Sequence, residues 1–190
     1  MPERIDLGPA AGMRHEGDPQ RCAVVLPGMF YPTRAPVLWF AREAAVAQGS
    51  SALEVLGEPG EHPDPVAWQR AAAEAALDAA GSGRVLVIGK SLATLLAGQV
   101  GERDLPAVWL TPALTEAAVG EGLARARQPT VVMGGTADDF WRADAIPDNP
   151  VLEVIELPGL DHSLQFPGDP LASLDPLARV VQVVARMASE

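Results

Sequence analysis

Three residue types that can together activate a hydroxyl group stand at telling positions in this 190-residue chain: Ser91, Asp138 and His162. Ser91 follows an aliphatic run, 85–88, that reads as a fully buried strand. Gly89 ends that run, and a Leu- and Ala-rich helical run begins directly after Ser91. The pattern Gly89-Lys90-Ser91-Leu92-Ala93 is G-x-S-x-A, a close variant of the nucleophile-elbow pattern G-x-S-x-G. Small residues at 89 and 93 suit a sharp turn where strand and helix backbones pass close together. A helix starting behind Ser91 would place a free backbone N–H, that of Leu92, and the positive end of a dipole where an oxyanion forms.

Two other roles compete for Ser91. Serine is a common helix N-cap and satisfies backbone N–H groups there. Gly89-Lys90-Ser91 also suggests a phosphate loop, but the spacing rejects it. In G-x-x-x-x-G-K-[ST] the first glycine would stand at position 84, which is Arg84; Gly83 is one residue too far. A hydrophobic strand fills the interval where the loop belongs.

The elements that must position these residues alternate along the chain. Residues 3–16, broken by Gly8, Pro9 and Gly12, make at most a weak edge hairpin. Strands are expected over 22–26, 52–56, 85–88, 107–110, 130–133 and 152–157. Helices are expected over 35–48, from Asp64-Pro65 to Gly81, after Ser91, over 113–126, over 140–145 and over 171–188. Asp64-Pro65 is a helix start with an N-cap followed by Pro at the first helical position. This alternation implies an α/β/α sandwich of three layers around a mostly parallel sheet. No repeat, low-complexity segment or long linker divides residues 1–190, which read as one domain with residues 1–21 as weak edge strands.

Open α/β sheets do their chemistry outside the carboxyl ends of the strands. Pro27, Gly28, Met29 and Phe30 follow the first strong strand, Ser91 the strand at 85–88, and Thr111 and Pro112 the next. Gly134 to Asp139 follow the strand at 130–133, and Pro158 to Ser163 the last one. A serine, an acid and a histidine therefore land on one edge in the order Ser, Asp, His.

That set resembles the α/β-hydrolase superfamily, in a small form without a lid domain, over nearly the whole chain from Cys22 onward. Pro27-Gly28-Met29-Phe30 resembles the family's oxyanion loop, with Pro27 where a histidine is usual. Gly135-Thr136-Ala137-Asp138 resembles its acid turn, and Pro158-Gly159-Leu160-Asp161-His162-Ser163-Leu164 its histidine loop. The last elbow residue is Ala93 instead of Gly. The resemblance implies that Ser91 is the nucleophile and His162 its base, with Asp138 orienting the imidazole. The Gly-x-x-Asp spacing favours Asp138, and Asp139 stays an alternative; Asp138 would otherwise cap the turn that follows it. Backbone N–H groups of Leu92 and Met29 would form the oxyanion hole, with Phe30 as the alternative to Met29. Met29, Phe30, Tyr31 and Trp141 are expected near the site, and Phe30 and Trp141 are the substrate-binding candidates. His15 and His62 follow no strong strand. Only about twenty residues separate Leu110 from Thr130, too few for a lid domain.

Composition narrows the partners. A net charge of −11 argues against nucleic acid and anionic membrane surfaces. One cysteine, Cys22, excludes an intrachain disulfide and reads as a packing residue. No apolar run reaches membrane-spanning length, and the N-terminus lacks a signal peptide, so a cytoplasmic location is expected. The function expected is hydrolysis of a carboxylic ester or thioester through an acyl-enzyme. It requires no metal or organic cofactor, and its substrate would be a small acyl compound or an acyl group on a carrier. The alternative is a hydrolase-fold binding protein with little catalysis.

Overall fold

The computed structural model describes residues 1–81 and 83–190. Its centre is an eight-stranded sheet with strand order β1-β2-β4-β3-β5-β6-β7-β8. The strands are β1 (Glu3–Asp6), β2 (Ala11–His15), β3 (Asp18–Leu26), β4 (Ser50–Leu56), β5 (Arg84–Lys90), β6 (Ala107–Leu110), β7 (Thr130–Gly135) and β8 (Leu152–Leu157). β1 and β2 pair antiparallel and join β4 antiparallel; every pairing from β4 through β3, β5, β6 and β7 to β8 is parallel. The weak edge hairpin expected near the N-terminus is therefore a regular two-strand ribbon, hydrogen-bonded in register from Glu3 with Arg14 to Asp6 with Ala11.

The helices are α1 (Pro36–Ala47), α2 (Pro65–Ala80), α3 (Ala97–Glu102), α4 (Ala117–Ala124) and α5 (Leu174–Ser189). Strand side chains alternate between two cores, as the pleat requires. Cys22, Val24, Val87 and Trp109 pack with α2, α3 and α4 on one face. Ala23, Val25, Ile88, Val108 and Met133 pack with α1 and α5 on the other. Burying both faces explains why the central strands read as unbroken apolar runs. Asp64 caps α2 as its sequence suggested, accepting the Ala67 N–H at 2.9 Å. Cys22 is buried, and burial raises its thiol pKa, which keeps it an inert packing group.

The structure departs from expectation in three places. No α-helix starts at Ser91: residues Ser91–Leu96 form a 3-10 helix, and α3 begins only at Ala97. The Thr94 hydroxyl donates to the Ser91 carbonyl at 2.6 Å and accepts the Ala113 N–H at 3.1 Å, which tightens this turn. α4 starts later than expected, at Ala117. Around 140–145 only Ala143–Ala145 is helical, as a single 3-10 turn. No helix among the described residues is long and apolar enough to cross a membrane.

Candidate active site

Ser91 sits at the carboxyl end of β5 with φ +55°, a strained conformation for a residue with a Cβ. The close approach predicted at this turn is present. A Cβ on Gly89 would lie 2.6 Å from the Trp109 ring and 3.1 Å from the Ala93 Cβ. A Cβ on Gly28 would lie 3.3 Å from the Ser91 Cβ, so the loop after β3 presses directly on the nucleophile position.

The loops after β5, β7 and β8 bring Ser91, His162 and Asp138 into one hydrogen-bonded chain. His162 Nε2 lies 2.8 Å from Ser91 Oγ, and His162 Nδ1 lies 2.7 Å from Asp138 Oδ2. An ionised carboxylate only accepts, so Nδ1 carries the proton and Nε2 is left to accept from the serine hydroxyl. The Asp138 side chain is fully buried, whereas His162 is a third exposed. Asp138 also fills the capping role weighed for it, since its Oδ1 accepts the Phe140 N–H at 2.9 Å. Asp139 is exposed. Asp161, next to the histidine, faces its own loop: its Oδ1 accepts the N–H groups of Ser163 and Gln165.

Residues 28–31 make a tight turn closed by two bonds, Gly28 N–H to the Tyr31 carbonyl and the reverse. The Met29 carbonyl accepts from the Gly60 N–H at 2.8 Å, which anchors the turn to the loop after β4. Among the described residues, neither the Met29 nor the Phe30 N–H has an acceptor. Leu92 is the second residue of its 3-10 helix, so its N–H has no partner within that helix either. Met29, Phe30 and Leu92 line the same cavity as Ser91.

A cavity of about 650 Å³ opens over Ser91 and His162. Its wall includes Met29, Phe30, Val66, Leu95, Ala113 and Phe140, with Glu116 and Lys90 as charged residues among its lining. Phe30 lines it and is largely exposed. Trp141, expected beside it, does not line the cavity. Its ring is buried against Gly134, where an added Cβ would meet it at 2.1 Å, and its Nε1 donates to Glu156 at 2.7 Å. The side chain one position earlier takes the place in the wall: the Phe140 ring lies 4.8 Å from the His162 ring.

Gly135 carries a sharp prediction. A Cβ there would fall 2.1 Å from the Leu160 carbonyl oxygen, a backbone atom that cannot swing aside. Gly135→Ala is expected to cost about 3 kcal/mol of folding stability and to push the His162 loop outward, lowering both the denaturation midpoint and activity. An unchanged midpoint in urea would contradict it.

One functional group escaped the sequence reading. Lys90, considered there only as part of a phosphate loop, is a fully buried cation. Burial pushes its pKa down to about 8, with the carboxylates of Asp138 and Asp161 opposing that shift. The available signal was a charged residue continuing a run that otherwise reads as buried strand.

No family model matches the chain, and no curated protein matches it. Solved structures do. Est1E from Butyrivibrio proteoclasticus superposes with a TM-score of 0.73 at 12% identity, over 98% of this chain and 96% of that one. A Xanthomonas campestris α/β serine hydrolase without lid gives 0.67 at 14% identity, over 98% and 94%. An α/β serine hydrolase homologue from Coxiella burnetii gives 0.69 at 10% identity, over 98% and 96%.

Proposed function

We propose that this chain, which has the α/β-hydrolase fold without a lid domain, is a serine hydrolase that cleaves carboxylic esters or thioesters through an acyl-enzyme. The observation that carries this reading is the Ser91–His162–Asp138 hydrogen-bonded chain opening into an apolar cavity. Ser91 Oγ attacks the acyl carbon while His162 Nε2 takes its proton. Asp138 holds the imidazole in the required tautomer and stabilises its charged form. The tetrahedral oxyanion is met by the N–H groups of Leu92 and of Met29 or Phe30, each worth on the order of 3 kcal/mol of barrier. His162 then returns the proton to the leaving group, and water repeats the cycle on the acyl-enzyme. The structural neighbours described as a serine hydrolase and as Est1E, which has been solved with ferulic acid bound, are consistent with such chemistry.

The test is intact mass after treatment with a fluorophosphonate probe, on the parent and on Ser91→Ala. One adduct on the parent and none on the variant supports the reading. No adduct on folded parent would overturn it and turn attention to binding partners.

The apolar wall points to neutral acyl groups. Leu95 lines the cavity and is only partly buried, so a larger side chain there has room to intrude. Leu95→Trp is expected to lower kcat/KM for an octanoyl ester at least tenfold relative to an acetyl ester, since each lost methylene contact is worth about 1–3 kcal/mol. Measuring p-nitrophenyl esters of graded chain length checks this. An unchanged chain-length profile would place the acyl group elsewhere.

A further inference from the structure

We propose that Lys90 is a positioning residue: its buried ammonium locks the main chain carrying His162 to the strand end carrying Ser91. This rests on the hydrolase reading of the site and adds a residue to it. Lys90 Nζ donates to the His162 carbonyl oxygen at 2.5 Å and to Thr111 Oγ1 at 2.6 Å. It also stands 4.6 Å from the centre of the Tyr31 ring. An ammonium has three N–H groups. Two are bonded to oxygen, and the Tyr31 ring face lies against the same charge.

The partners explain what is fastened. His162 belongs to the loop after β8, Thr111 to the loop after β6, and Tyr31 closes the turn whose tip offers the Met29 and Phe30 N–H groups. Lys90 itself precedes Ser91 directly. One side chain thus ties together the base loop, the nucleophile turn and the oxyanion turn. It does so where the backbone is strained, since Ser91 and Thr111 both have positive φ. The neutral donors that could replace it would form weaker bonds than this charge-assisted pair.

The titratable groups facing the ammonium are Tyr31 from the loop after β3, Asp138 from the loop after β7, and Asp161 and His162 from the loop after β8. Burial raises the Tyr31 pKa, which keeps the phenol neutral beneath the cation. The Lys90 charge is lost as pH rises through about 8, so the lock weakens on the alkaline side.

The experiment compares the parent with Lys90→Met, which keeps the stem and removes the donors. Both are assayed for fluorophosphonate labelling rate and for p-nitrophenyl butyrate turnover, from pH 6 to pH 10. A misplacement on the order of 1 Å costs about 100-fold in rate. The expected result is therefore a fall of about 100-fold in kcat and labelling rate, with KM within about threefold and the native circular dichroism retained. Any alkaline fall of the parent rate that follows loss of the Lys90 charge should be missing from the Lys90→Met profile. Lys90→Met labelling within twofold of the parent overturns the proposal. Should Lys90→Met fail to fold, Lys90→Gln, one bond too short to reach both oxygens, takes its place under the same criterion. A parent that never labels overturns the hydrolase reading, and this inference with it.

Discussion

Ser91→Ala is expected to lose ester turnover on the order of a million-fold in kcat and to take up no fluorophosphonate, while folding as the parent does. Without Oγ, the His162 imidazole has no hydroxyl to deprotonate. What remains is binding and the backbone donors of the oxyanion hole, which together leave about 10³–10⁴-fold over the uncatalysed rate. The fold should survive because the substitution removes one hydrogen bond, to His162 Nε2, and keeps the Cβ. The Ser91 carbonyl still accepts from Thr94, which holds the turn closed. The cost of φ +55° is about the same for Ala as for Ser. Initial rates and thermal melts of both proteins check this. A variant that keeps a tenth of the parent activity would move the nucleophile elsewhere.

The reach of the sequence can be judged from particular elements. β6 (Ala107–Leu110) and β8 (Leu152–Leu157) run over the residues that apolar runs indicated. Strand ends were legible to within two residues because Gly and Pro stand at or just inside them, at Gly89, Gly134 and Pro158, although β5 runs on to Lys90 and β7 to Gly135. Once strand ends are known, parallel topology puts their loops on one edge, and the edge gathers Ser91, Asp138 and His162 without further information. The Gly-x-x-Asp spacing favoured Asp138 over Asp139, and the structure adds its burial and its bond to His162 Nδ1.

What failed to read had tertiary causes. The run after Ser91 has helical composition, yet it winds as 3-10 because Thr94 bonds back to the Ser91 carbonyl and across to Ala113. Nothing local in Leu92-Ala93-Thr94 announces a partner nineteen residues away. Trp141 stood in the right loop, but Gly134 in β7 left room for its ring, and Glu156 offered an acceptor for its indole N–H. Lys90 was visible as a lysine at the end of a buried strand. Its partners were not, since Thr111, His162 and Tyr31 come from three other loops.

Asp138→Asn should lower kcat by about 10⁴-fold with little change in stability, whereas Asp139→Asn should leave it within twofold. Asn is nearly isosteric with Asp, and its carbonyl oxygen can go on accepting the Phe140 N–H that Oδ1 accepts now. Its amide nitrogen then faces His162 Nδ1 in place of Oδ2. Two donors cannot share that bond, so the imidazole proton moves to Nε2. Nε2 then points an N–H at Ser91 Oγ where a lone pair is needed, and the base is gone although every atom stays near its place. The stabilisation of the charged imidazole by a fully buried carboxylate is lost with it. Kinetics of the two variants side by side decide between the neighbouring acids; a loss in Asp139→Asn with Asp138→Asn intact would reverse the assignment. Probe chemistry adds a second discrimination. Asp138→Asn keeps the serine hydroxyl and the backbone donors, so it should reach the same single adduct as the parent, but slowly. Ser91→Ala should never reach it, and that contrast separates a misoriented base from an absent nucleophile.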